Sequence, residues 1–148
     1  MKIRLLAGVG VAALLGAAPA LPASAAKPKP LPKPIHGSFV AQATPDPTSD
    51  TPEVGKGKCN PVTPTARVTK AFTVPAKGVL TVKLNNKLDW SGDVRDADGS
   101  LETDTDGDLP NTPEAMEAAF KRRTKVVIGV CNFSGEPSIT VTYTFTYK

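Results

Sequence analysis

Ile139, Val141, Tyr143, Phe145 and Tyr147 alternate with Thr140, Thr142, Thr144 and Thr146, and this unbroken period of two narrows the available folds more than any other feature. In a strand, successive side chains point to opposite faces, so one face here is large and apolar and the other is threonine. The threonine face is expected to meet solvent. The same alternation recurs in Val68, Phe72 and Val74 against Arg67, Thr69 and Thr73, and again in Leu80, Val82 and Leu84. Pro75-Ala76-Lys77-Gly78 and Asn85-Asn86-Lys87 supply turn residues between these runs, the second ahead of Leu88, Trp90 and Val94. Residues 124–133, TKVVIGVCNF, are more continuously apolar and read as a central strand buried on both sides. Strands at this spacing over residues 59–148 predict an all-β fold, a single β-sandwich or jelly-roll domain of about 8 strands.

Residues 113–121, Pro-Glu-Ala-Met-Glu-Ala-Ala-Phe-Lys, run against that pattern. Proline early, acids in the first turn and helix-forming residues throughout favour a short helix. Tertiary pairing can override such a preference and turn Ala115, Ala119 and Phe120 into part of a strand. Both readings stand on sequence alone.

The start of the chain has the layout of a secretory signal peptide over residues 1–25. Lys2 and Arg4 precede LLAGVGVAALL, an apolar run of eleven residues from Leu5 to Leu15. That run suits an export signal but falls short of the roughly 20 residues that span a bilayer as a helix. Ala23-Ser24-Ala25 then forms a small-residue cleavage site, which places the mature start at Ala26 and the protein outside the cell. No integral membrane segment is expected in the mature chain.

The full chain carries 18 basic and 14 acidic residues. Without Lys2 and Arg4 the basic count falls to 16, and without Lys27, Lys29 and Lys33 it falls to 13, so the part after residue 34 is near neutral. This balance removes any whole-chain electrostatic argument for nucleic-acid binding. Residues 26–34 alternate proline with lysine and read as an extended spacer able to follow an anionic surface. Residues 35–58 hold a first strand, over 35–43, and a linker rich in Pro, Thr and Gly. The sandwich is expected over residues 59–148.

An even cysteine count in an exported chain predicts a disulfide between Cys59 and Cys131. Metal ligation by these two and the distant His36 is a poor alternative. His36 lies beside the Pro-rich spacer, badly placed to activate a serine or cysteine, so no catalytic residue is assigned.

Between Asp93 and Glu117 the chain has nine acids and one base, Arg95. Asp96-Ala97-Asp98-Gly99 and Asp104-Thr105-Asp106-Gly107-Asp108 repeat an Asp-x-Asp-Gly theme, and neither completes an EF-hand loop. Two readings stay open. In one these are solvated loops using Asp-Gly as turn chemistry. In the other, Asp93, Asp96, Asp98, Asp104, Asp106 and Asp108 supply oxygen ligands to calcium, the sole candidate cofactor. Lys121, Arg122, Arg123 and Lys125 form a basic cluster that reads as a solvated turn or a binding patch.

The order Phe72-Thr73-Val74-Pro75, Gly78-Val79-Leu80-Thr81-Val82, Asp89-Trp90, Asp96-Ala97-Asp98-Gly99, residues 126–133 and Thr142-Tyr143-Thr144-Phe145 resembles the bacterial pre-peptidase C-terminal domain. The likeness covers residues 67–148. It implies a β-sandwich accessory module without catalysis of its own, and a strand over 114–121. The function expected is that of a secreted, non-catalytic binding protein whose partner is an extracellular protein or a wall or matrix polymer. A calcium-stabilised matrix- or polysaccharide-binding module and a small exported hydrolase using carboxylates are the alternatives.

Overall fold

The computed structural model describes residues 29–46, 59–85, 89–105 and 114–148. Residues 1–25, read as a signal peptide, and the linker residues 47–58 fall outside these residues, as do Lys27, Asp106 and Asp108. Eight strands form among the described residues: β1 Ile35–Gln42, β2 Arg67–Val74, β3 Gly78–Asn85, β4 Trp90–Asp96, β5 Leu101–Thr105, β6 Glu114–Phe120, β7 Thr124–Asn132 and β8 Ser138–Tyr147. They make two four-stranded sheets, β1-β8-β3-β6 and β2-β7-β4-β5, with antiparallel pairing throughout. A 3-10 turn, Pro64–Ala66, leads into β2. The β-sandwich expected from the strand periodicity is the fold observed.

Alternation builds the core. Ile139, Val141 and Phe145 of β8, Leu80, Val82 and Leu84 of β3, and Met116, Ala118 and Phe120 of β6 face inward from the first sheet. Val74, Trp90, Val94, Val126, Ile128 and Val130 meet them from the second. Burying each large apolar side chain contributes roughly 1.5–3 kcal/mol, and this burial holds the two layers together. Phe72 of β2 and Tyr143 of β8 touch across the layers with ring centroids 5.1 Å apart.

The helix-forming run is a strand. Glu114, Met116, Ala118 and Phe120 are buried while Ala115, Glu117 and Ala119 are exposed, and β6 pairs with β3 from Leu84↔Glu114 to Gly78↔Phe120. Pairing along β3 and burial of one face outweigh a weak local propensity. Glu114 sits at an inward position where Thr105 Oγ1 donates to its Oε2 at 3.2 Å, joining the end of β5 to the start of β6.

Topology sets two unlike ends. Val74↔Thr124 closes the β2–β7 ladder at the same end where Gly78 pairs with both Phe120 and Tyr147. The opposite end holds Arg67↔Cys131 and Trp90↔Asn132. There Asn132 Nδ2 donates to the carbonyls of Ala43 (3.0 Å) and Glu136 (3.1 Å), and Trp90 Nε1 donates to that of Glu136 (3.3 Å).

Candidate functional site

Two charged constellations stand out, one at each end of the second sheet. The first surrounds the disulfide. Cys59 and Cys131 are bonded, with Cα atoms 5.3 Å apart, and both are fully buried. Arg67 starts β2 opposite Cys131, so its side chain lies on the outer face beside the bridge. Its Nη1 donates to the Cys59 carbonyl and approaches Cys59 Sγ at 3.3 Å. Its Nη2 reaches over β7 to Asp93 of β4, at 2.8 Å from Oδ1 and 3.1 Å from Oδ2. Arg95, two residues along the same face, donates from Nε to Asp93 Oδ2 at 2.7 Å and from Nη1 to the Gly99 carbonyl at 3.2 Å.

Asp93 is thereby 0 % exposed although it points away from the sandwich core. Its carboxylate is held between two guanidiniums, the arrangement in which a buried charge is tolerated. Gly129 opens the path. It pairs with Asp93, and a Cβ there would stand 2.3 Å from Arg67 Nη2 and 2.3 Å from Asp93 Oδ1. Gly129→Ala is expected to displace the ion pair and lower stability by about 2 kcal/mol, as read from urea unfolding. This cluster covers the outer face of β7 at Gly129 and Cys131, so the strand is buried on both faces over residues 128–132 only, whereas Lys125 near its start is exposed and Val127 half-buried.

The second constellation begins at the β4–β5 turn. Asp96 Oδ1 accepts from the amides of Asp98 (3.2 Å) and Ser100 (2.9 Å). Asp98 Oδ1 accepts from Ser100 N at 3.1 Å and Ser100 Oγ at 2.7 Å. Gly99 closes the turn at φ 92°, a left-handed conformation that glycine adopts without steric cost. Hydrogen bonding, first to the Asp96 side chain and then to the Ser100 hydroxyl and amide, holds the Asp98 carboxyl below the usual carboxylate range. Folding therefore favours ionised Asp98. Its contribution is complete above the ordinary aspartate range and is lost as pH falls below it. Asp98→Asn is expected to lower the melting temperature at neutral pH, where the contribution is complete, and to converge with the wild type as pH falls below the aspartate range, which flattens the acid limb of the profile.

The acids read as candidate calcium ligands are thus spread over different settings. Asp93 is enclosed by arginines, Asp96 and Asp98 brace a turn, and Asp104 lies opposite Asp93 in the β4–β5 ladder. Among the described residues no three His, Cys, Asp or Glu side chains come together as a metal site.

Across from the Asp96–Ser100 turn lies the connection between β6 and β7. Asp96, Ala97 and Asp98 form one wall, and Arg122, Arg123, Thr124 and Lys125 the other, of an open cleft of about 490 Å³. A more apolar groove over Ala71, Val126 and Val127 adjoins it and shares Ala97 and Lys125. The acidic and basic runs noted in the sequence therefore face one another, brought together by the pairing of Asp96 with Val126. His36, on the exposed face of β1, bonds through Nδ1 to Thr144 Oγ1 at 3.0 Å.

Sequence reasoning identified the disulfide and missed Arg67, Arg95 and Gly129. A usable signal was present, since Asp93-Val94-Arg95 places opposite charges on one face of a strand. No protein-family model matches this chain, and no curated protein matches it in sequence.

Proposed function

We propose that this protein is an exported, non-catalytic accessory module that binds an extracellular protein or a wall or matrix polymer through its strand-end loops. The observation that carries this reading is the open cleft between the Asp96–Ser100 turn and Arg122, Arg123 and Lys125. Its walls come from separate connections on a frame with a filled core and a covalent staple, so the charges are presented on rigid supports. The resemblance to pre-peptidase C-terminal domains supports the same reading.

The test is retention of the oxidised protein on isolated wall, matrix and secreted-protein fractions, compared with the chain unfolded by reduction. Folded protein is expected to be retained and unfolded protein to pass through. Equal retention of both would remove the reading. Release of reducing sugar from a polysaccharide panel above the blank would instead make the protein a hydrolase.

A further inference from the structure

The near-neutral charge of the part after residue 34 conceals a segregation that appears only in the fold. The 75–77 connection leaves β2 at Val74 and enters β3 at Gly78, and the 121–123 connection leaves β6 at Phe120 and enters β7 at Thr124. Because Val74 pairs with Thr124 and Gly78 with Phe120, these two crossings lie side by side at one end of the sandwich. They carry Lys77, Lys121, Arg122 and Arg123, with Lys125 one position into β7. Lys33 stands just before β1, whose first residue, Ile35, pairs with Phe145 at the same end. All six side chains are exposed, and among the described residues none forms an ion pair.

The acids sort differently. Asp46, Asp89, Glu114 and Glu136 belong to the opposite end, with Cys131 and Asn132. At the basic end Asp96 and Asp98 occupy one corner, where their oxygens already accept bonds within their own turn, and the exposed Glu102 follows that turn at the start of β5.

We propose that this end of the sandwich is a docking surface for a linear phosphodiester polymer without bases, of the polyol-phosphate kind, gripped chiefly by Arg122 and Arg123. This rests on the reading of the protein as a binding module and names its ligand class. Arginine presents a planar fork that meets a phosphate with two parallel hydrogen bonds, and the flanking lysines add point charges along a chain. Nucleic acid is the poorer fit. Every Phe, Tyr and Trp side chain is at least partly buried and the exposed His36 ring is bonded to Thr144, so no row of exposed rings for stacking successive bases accompanies the cations. A flat anionic membrane is also a poorer fit, since it would press against the Asp96 and Asp98 corner, whereas a narrow chain can follow the basic crossings alone.

The experiment is a titration of the oxidised protein with poly(glycerol phosphate) at low and at physiological salt, run beside a neutral polymer, single-stranded DNA and anionic-lipid vesicles. Poly(glycerol phosphate) is expected to bind most tightly, and its affinity to fall steeply with salt as counterions are released. Arg122→Glu/Arg123→Glu is expected to weaken it by about tenfold or more, while Lys83→Glu, on an exposed strand position away from this end, leaves it within about twofold. Thermal melts confirm that both variants fold. Unchanged affinity in the arginine variant, or no preference over the neutral polymer, overturns the inference. Tighter binding to DNA or to vesicles overturns it in favour of that ligand. If retention on wall or matrix fractions survives the arginine substitutions, the binding-module reading stands and the phosphate-polymer assignment fails.

Discussion

Replacing Cys59 and Cys131 together by alanine is expected to lower the free energy of unfolding by about 4 kcal/mol. The bridge joins positions 72 residues apart. Closing a loop of that size removes enough conformational freedom from the unfolded chain to give about 4 kcal/mol in the loop-entropy account. Typical domains are stable by only about 5–15 kcal/mol, so this is a large share of the total and the urea midpoint of the variant is expected to fall well below that of the oxidised protein. The denaturant slope should rise as well, since the uncrosslinked unfolded chain exposes more surface. Urea unfolding of the oxidised protein and the alanine variant measures both quantities. A loss below about 1 kcal/mol would show that the bridge does not act through loop entropy here.

Asp93→Ala is the second large effect, an expected loss of about 3 kcal/mol. The wild-type carboxylate is fully buried between Arg67 and Arg95, whose side chains are 23 % and 21 % exposed. Removing it leaves two partly buried guanidiniums of like charge facing each other across the space it occupied. Their residual contact with water keeps the loss at the lower end of the range for breaking a buried ion pair. Because Arg67 touches both Asp93 and Cys59, the disulfide and carboxylate substitutions should not add independently. A double-mutant cycle between Asp93→Ala and the paired cysteine substitution is expected to show coupling above about 0.5 kcal/mol. Strict additivity would mean that Arg67 transmits nothing between the two.

The elements legible in the sequence were those whose periodicity and burial agree. β8 and β3 alternate cleanly, and each places its apolar set in the core. β6 was ambiguous because alanine, glutamate and methionine favour a helix, and only the long-range ladder with β3 settles its form. β5 lay hidden inside the acidic run, where Asp-x-Asp-Gly spacing signals turns. Only Leu101 there is apolar, and the strand forms by pairing along β4. The bridge was legible because an even cysteine count beside an apparent export signal suffices to predict it. The Arg67–Asp93–Arg95 cluster was not, since it joins β2 to β4 across a glycine in a third strand. Charge followed the same rule, with totals plain in the sequence and their distribution set by which connections cross at which end.

The pairing of the first strand with the last also bears on how the protein responds to load. β1 and β8 run antiparallel from Ile35↔Phe145 to Gln42↔Ser138, so tension applied through residue 35 and residue 147 enters the ladder at one end. Such a pull opens the pairs one after another, as a zipper opens, in place of shearing all of them at once. The opening then meets the Cys59–Cys131 crosslink, which withholds every residue it encloses from extension. Under tension the protein is a short compliant strand in series with a body that cannot lengthen.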